Sequence, residues 1–380
     1  MRKAFICPTK YVQGEDELLN LGYFVKSFGP SALLIGHPDD VKRVKDKLDA
    51  TVKKFGITFV ESGFMGECSR QEVARLQQIA KEQGCTSTIG LGGGKAIDAA
   101  KCVAQGEALI ICPTIAATDA PTSHSAVLYT PEGAFDDYAY FKQSPSVVII
   151  DTTVIANAPT RFLVSGMGDA LSTYFEARAT ASSYSNVNAG LPCGYREGEC
   201  GPAKGTNAAL ALAKLCYEML LKDGAKAKAA CDANMVTSAL ENIIETNILL
   251  SGLGFESAGL GGAHAIHDGL TLLEGTHHYY HGEKVAFGTI AQLVLENAPT
   301  EELHQVLDFC LEVGLPVCFE DIGVDSITRE ELLAVAEKAC IPEESIHAMP
   351  FPVTVEGVAA AIATADRIGR EYKARREASK

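Results

Sequence analysis

The sequence is poor in several features that would place it at once. It lacks any run of the roughly 18 apolar residues that a membrane-spanning helix needs, so its 47% hydrophobic content over 380 residues reads as core material. It lacks a C-x-x-C pair: twelve cysteines are scattered singly in apolar contexts such as Lys101-Cys102-Val103 and Ile111-Cys112-Pro113. That argues against a zinc knuckle or a thioredoxin-like centre and for buried, reduced thiols. It lacks positive charge: 33 Lys and Arg against 48 Asp and Glu leave a net −15. Such a surface repels phosphate backbones and anionic lipid, so neither nucleic acid nor a membrane is expected as a partner. Tryptophan is absent as well, which decides nothing.

The N-terminus opens basic and then apolar, Met1-Arg2-Lys3-Ala4-Phe5-Ile6, but Cys7-Pro8 and polar residues follow before a signal-peptide core forms. A first β-strand is expected there, and a cytoplasmic protein. Up to about residue 160, short β-branched runs alternate with amphipathic patterns. Ser31–Gly36, Ile57–Glu61, Thr86–Leu91, Ala108–Cys112 and Val147–Ile150 read as strands, and Val41–Phe55, Ser69–Gln83 and Lys95–Ala104 as helices. Alternation with continuous apolar strands predicts an α/β nucleotide-binding domain, 1–160, around a mostly parallel sheet. From 161 to 380 helical periods dominate, as in Asn207–Asp223, Lys226–Ser251, Gly282–Asn297 and Val355–Lys380, which predicts an all-helical domain and an active site in the cleft between the two. The Gly-rich stretch holding Cys193 and Cys200 reads as a surface insertion.

Three segments carry chemistry. The first is a strand, then Gly92-Gly93-Gly94-Lys95, then a helix with Asp98 one turn in. Glycines let backbone N–H groups approach a phosphate, and the helix N-terminus adds its positive dipole end. A tight strand-to-helix turn is the alternative, and Ala96 argues against a Walker-type loop. The second, Pro113-Thr114-Ile-Ala-Ala-Thr118-Asp119-Ala-Pro121-Thr-Ser123, leaves a buried strand at the sheet's carboxyl edge, where open α/β folds bind ligands. The third is a histidine concentration: five of nine fall between 264 and 281, in His264-Ala-Ile-His267 and His277-His278-Tyr-Tyr-His281. Imidazoles with a carboxylate such as Asp169, in Gly166-Met-Gly-Asp169, could form a three-ligand site with one open position. Each has a bland counterpart: Asp169 as an N-cap at the start of a helix, His267 facing solvent or a core hydrogen bond, His277 and His278 as surface groups.

Taken with Cys7-Pro8-Thr-Lys10-Tyr11, Gly66-Glu67-Cys68-Ser69, Gly254-Phe-Glu-Ser257 and His278-Tyr-Tyr-His-Gly-Glu-Lys-Val-Ala-Phe-Gly288, these segments resemble the iron-containing alcohol dehydrogenases through nearly the whole chain, in their polyol-oxidising branch. The fold implied is dehydroquinate synthase-like. The resemblance implies metal ligation, and catalysis, by Asp169, His264 and His281. Thr173 stands where the wider family has a fourth ligand. Substrate contact is implied for Asp119, Phe255 and His264, and cofactor contact for Gly92, Gly93, Gly94, Lys95, Asp98, Thr114, Thr118, Ser123, Ser125 and Tyr129. The implied activity is zinc- and NAD-dependent oxidation of glycerol and related vicinal diols to the ketone, dihydroxyacetone from glycerol, by a homo-oligomer of up to eight chains. His267 and ordered water are the candidate proton acceptors.

One departure concerns the cofactor: His37-Pro38 follows Gly36 where the branch usually has an acid for the adenosine ribose. Asp39 or Asp40 could substitute, so NAD is expected and NADP stays open. Rival readings are an NAD- and zinc-using cyclase-type lyase like dehydroquinate synthase and a glycerol 1-phosphate dehydrogenase. Both should need several Lys and Arg in the cleft, where this sequence offers mainly Gly, Ala, Ser and His. A non-catalytic protein would leave the set of ligands without a use.

Overall fold

The computed structural model describes residues 1–64, 66–105, 107–190 and 201–378; Cys193 and Cys200 lie outside them. The first half lays down β1 (Lys10–Gly14), α1 (Leu21–Phe28), β2 (Ser31–Gly36), α2 (Pro38–Arg43), α3 (Lys45–Phe55), β3 (Thr58–Gly63), α4 (Arg70–Glu82), β4 (Ser87–Gly92), α5 (Gly94–Ala104), β5 (Leu109–Pro113), β6 (Ser125–Tyr129), β7 (Phe135–Tyr140) and β8 (Val147–Asp151). Six strands form one sheet in the order β1-β8-β5-β4-β2-β3, every pair parallel. Strands β4, β5 and β8 are buried along their whole length, as a sheet covered on both faces requires. β6 and β7 form a separate antiparallel ribbon, which the sequence reading did not include.

The second half is α6 (Thr152–Ala156), α7 (Thr160–Ser183), α8 (Asn207–Asp232), α9 (Ser238–Glu245), α10 (Ser251–Ala258), α11 (Gly262–Leu270), α12 (His281–Leu295), α13 (Thr300–Val313), α14 (Arg329–Ala339) and α15 (Val355–Ala378). After β8 every named element is helical among the described residues. None of the helices is long and apolar enough to cross a membrane. One buried apolar cluster runs from the sheet (Leu33, Ile111, Val148) through α7 (Met167, Phe175) to α12 and α15 (Phe287, Ile362), so the two halves share a core.

Four expectations need correction. The opening residues do not form the first strand: Lys3 makes a single bridge to Lys204, and the sheet edge beside β8 is filled by Lys10–Gly14. The segment from Val41 to Phe55 is two helices, because the chain tightens at Val44, whose N–H bonds the Val41 carbonyl. Lys226–Ser251 is likewise interrupted: α8 ends at Asp232, and a π-helical turn over Thr246–Leu250 separates α9 from α10. Asp169 is not at a helix start. It is the tenth residue of α7, and Gly166 and Gly168 are there for close approach rather than as breakers.

That approach sets the site. A Cβ on Gly168 would lie 2.2 Å from the Gly282 carbonyl oxygen, and one on Gly282 would lie 1.8 Å from the Ser165 carbonyl oxygen. Only glycine at both positions lets α7 and α12 touch backbone to backbone, which brings Asp169 beside His281. Gly282→Ala should therefore separate the helices and cost at least about 1–3 kcal/mol, the usual range for overpacking. Urea unfolding checks this; an unchanged midpoint would contradict the close contact.

Candidate metal centre and dinucleotide crevice

The sheet order reverses between β2 and β4: the chain leaves β2 toward β3 on one side and leaves β4 toward β5 on the other. Diverging loops open a crevice at the strands' carboxyl ends, the usual ligand position in open α/β sheets. On its walls Asp40, after β2, stands against Gly92, after β4. Gly92 has φ 138°, a backbone that L side chains rarely adopt. A Cβ on Gly94 would meet nothing within 4 Å, so packing does not demand glycine there; open space lies over the N-terminus of α5. That terminus, eleven residues of helix behind it, presents unpaired N–H groups and a positive dipole end.

Lys95 is exposed, paired with Glu67 at 2.5 Å and over the ring of Tyr129. Asp40 turns into the crevice: it accepts from the Thr114 hydroxyl at 3.0 Å, and its other oxygen would be 3.2 Å from a Cβ on Gly92. Asp39 faces solvent, and His37 caps α2. Of the two acids, then, Asp40 is the one at the crevice. Asp98 and Ser123 are buried, and their side chains are taken up in bonds to Lys101; Asp98 also accepts from Val127 N–H. Thr118 is half-buried on the loop after β5, and Ser125 is half-buried at the start of β6.

Across the crevice α7, α11 and α12 bring Asp169, His264 and His281 together, one ligand atom from each within 4.8 Å of the others. Both Nε2 atoms lie against Asp169 Oδ1, His281 at 3.2 Å and His264 at 3.3 Å. That oxygen is buried and accepts no hydrogen bond. Asp169 Oδ2 accepts from Asp119 N–H at 3.2 Å. Side-chain exposure climbs from 1% at Asp169 through 17% at His264 to 37% at His281, so the cluster opens to one side.

The hydrogen bonds behind the imidazoles fix their tautomers. His264 Nδ1 meets Glu176 Oε2 at 2.7 Å, while the other Glu176 oxygen accepts from the Gly261 and His264 N–H groups. His267 Nδ1 meets Asp268 at 2.8 Å and its Nε2 meets His281 Nδ1 at 3.1 Å. Carboxylates accept only, so Nδ1 is the donor on His264 and His267, and His267 Nε2 then accepts from His281 Nδ1–H. Both Nε2 atoms, which can turn lone pairs to a cation once their protons leave, converge on the orphaned carboxylate oxygen. This is the donor set and the oriented outer layer of a divalent cation site, and the residues fit such an ion.

Burial alone would raise the Asp169 carboxyl, but His281, then His264, hold it well below the usual carboxylate range. Burial, then the charge on His281, pushes His267 down to about 4, which keeps it neutral. With both nitrogens engaged it orients His281 and is not free to take a substrate proton. Asp119 is raised well above the ordinary value by burial and by Asp169. Its Oδ2 accepts from Ser251 at 2.7 Å, and Ser251 in turn bonds Thr173 at 3.0 Å. Phe255 is half-buried one turn past Ser251 on α10. His277 and His278 are exposed, as expected. Sequence reading missed Glu176, although it follows Asp169 by seven residues on one helix face; it missed Ser251, for which no spacing gave a signal.

A buried carboxylate clamped between two imidazoles inside a nucleotide-binding α/β and helical pair defines a metal-dependent oxidoreductase class, and the comparisons agree. The chain belongs to the iron-containing alcohol dehydrogenase family, whose model matches residues 8–152. Within it the chain groups with glycerol dehydrogenases: it is 46% identical to that of Citrobacter freundii over 99% of this chain and all of the relative. It is also 42% identical to a glycolaldehyde reductase of Halobacterium salinarum, over 99% of this chain and all of that one. The solved glycerol dehydrogenase of Schizosaccharomyces pombe superposes with a TM-score of 0.91 at 36% identity, covering 99% of this chain and 93% of that one.

The cluster also has a pH signature. In cation-free protein burial disfavours the charged His264, but Glu176, then Asp169, overrule it and raise its pKa well above the ordinary value. A raised imidazole contributes stability in full below about pH 6.5 and loses it as pH climbs through the raised value. The depressed carboxylates of Asp169 and Glu176 contribute above about pH 4, and that part is lost only in stronger acid. A cation replaces the protons, so its stabilising increment should widen from pH 6 upward. Thermal melts of chelated and zinc-loaded protein at stepped pH measure it; an increment that shrinks would contradict the assignment.

Proposed function

We propose that this chain oxidises small vicinal diols, glycerol foremost, to the hydroxyketone, with NAD as hydride acceptor and zinc held by Asp169, His264 and His281. The observation that carries this reading is the orphaned Asp169 oxygen facing the Nε2 atoms of His264 and His281, one backbone bond from Asp119. Three ligands with an open side suit a catalytic zinc. When bound, the cation supplies Lewis acidity toward an alcohol and the nicotinamide supplies the hydride acceptor.

The chain's own residues do the rest. Gly92–Gly94 and the N-terminus of α5 receive the pyrophosphate, with Lys95 exchanging Glu67 for the anion. Asp40, through its free oxygen, accepts from the adenosine ribose and would repel a 2′-phosphate, which favours NAD. Asp119, whose carboxyl is pushed up by burial and by Asp169, stands to hydrogen-bond the diol's second hydroxyl. Phe255 walls the apolar side. Glu176 and Asp268, both held as carboxylates beside the imidazoles, make the surroundings acidic, which suits a neutral polyol and disfavours phosphorylated or carboxylated substrates. The names carried by the relatives, a glycerol dehydrogenase and a glycolaldehyde reductase, support a small hydroxylated substrate.

Absorbance at 340 nm, followed with NAD and NADP separately over glycerol, 1,2-propanediol and 2,3-butanediol, tests the reading. Glycerol with NAD should turn over, chelation should abolish the rate, and zinc should restore it better than ferrous iron. Asp169→Asn, His264→Ala and His281→Ala should each lose the cation while remaining folded. Full turnover by chelated protein or by any of these variants would sink the proposal.

A further inference from the structure

Among the largest fully buried side chains of the described residues one is not apolar: Lys101, on α5, 1% exposed. A buried ammonium is costly unless its protons are all used. Here Nζ lies 2.6 Å from the Ala120 carbonyl, 2.7 Å from the Ser123 hydroxyl, 2.7 Å from the Ser125 carbonyl and 3.2 Å from Asp98 Oδ1. Three of the four partners belong to one short stretch of the loop that carries Asp119. Asp98 completes the unit by accepting from Val127 N–H at the far end of the same stretch.

The loop's opposite side is fixed by the helical half. Thr122 donates to the Ile248 carbonyl, His124 makes two bonds to the buried Glu256, and Asp119 itself is bonded by Ser251 and bonds Asp169. Residues 119–127 are thus held between α5, whose N-terminus lines the dinucleotide crevice, and the stretch from the π-helical turn into α10, through Ile248, Ser251 and Glu256.

We propose that Lys101 is a positioning residue: its ammonium gathers the backbone of 120–125 so that Asp119 stands at the substrate face of the cleft. The proposal rests on reading that cleft as the diol site. Lys101 acts through the loop and touches neither substrate nor cation. A methionine of similar length would fill the volume but leave two carbonyls and a hydroxyl without their donor, and the loop would be free to turn away.

The test uses full-length, zinc-loaded Lys101→Met and Lys101→Gln. In the Met variant Asp98 still accepts from Val127 N–H, and losing the ammonium adds to the upward push that burial gives its carboxyl. Gln keeps two donors and should rescue part of the effect. Hydrogen exchange of amides in 119–127 should rise about tenfold in Met and less in Gln, while that of 264–281 stays unchanged. Zinc per chain should hold, and kcat/KM for the diol should fall roughly tenfold to a hundredfold in Met.

The proposal is overturned if folded Met retains exchange in 119–127 and kcat/KM within about threefold of the parent. It is equally overturned if exchange rises evenly through 264–281 with loss of zinc, or if neither variant folds, since the role is then general support. If the parent oxidises no diol yet the loop exchange responds as described, the functional reading fails and the positioning role stands.

Discussion

The Asp169 carboxylate is the constraint on which the rest is built. It is buried to 1% exposure, with one oxygen accepting nothing from the protein. A lone ion there would be penalised by several kcal/mol or would neutralise itself. Two imidazoles prevent that, and they face the carboxylate only because three helices converge: α7 and α12 through the glycine contact at Gly168 and Gly282, and α11 through Glu176, which accepts from both Gly261 N–H and His264. In the absence of a cation, protons shared among the imidazoles perform the same compensation. The site is therefore a stable but exchangeable charge arrangement, preorganised for an ion and costly to disturb.

From that cluster the structure extends outward in layers of decreasing burial. Glu176 and the His267–Asp268 pair set the imidazole tautomers. Asp119 ties the cluster to the sheet's carboxyl edge through one backbone bond to Asp169. The π-helical turn at Thr246–Leu250 adds a residue to the helical register just before Ser251, and Asn247 within it donates to the Ala116 and Leu163 carbonyls. Such a turn is a common device for re-aiming side chains at functional sites. Here it lets Asn247 hold the loop and Ser251 hold Asp119.

Much of this was legible beforehand. The parallel sheet was readable because β2, β4, β5 and β8 are continuous β-branched or apolar runs bounded by glycine or polar residues. The cluster was readable as residue types: the histidine concentration and Asp169 pointed to a cation, and the family resemblance chose which ones. Their arrangement was not readable. Asp169 looked like a helix start because Gly166 and Gly168 look like breakers, when they mark backbone contacts made by residues 50 and 114 positions away. The ribbon β6–β7 escaped because its outer strand is largely exposed and lacks a core-facing pattern. Lys101 carries no signal of its own within the helix read from Lys95 to Ala104; only the folded loop reveals its burial. Long-range contacts of this kind leave no periodic trace.

X-ray absorption at the metal edge of zinc-loaded protein, compared with the chelated form, reads the central claim directly. The account predicts one ion per chain, bound by two imidazole nitrogens and a carboxylate oxygen with a water or substrate oxygen in the open position, at about 2.0–2.2 Å. Sulfur in the coordination sphere, or an ion that the protein fails to retain, would contradict it.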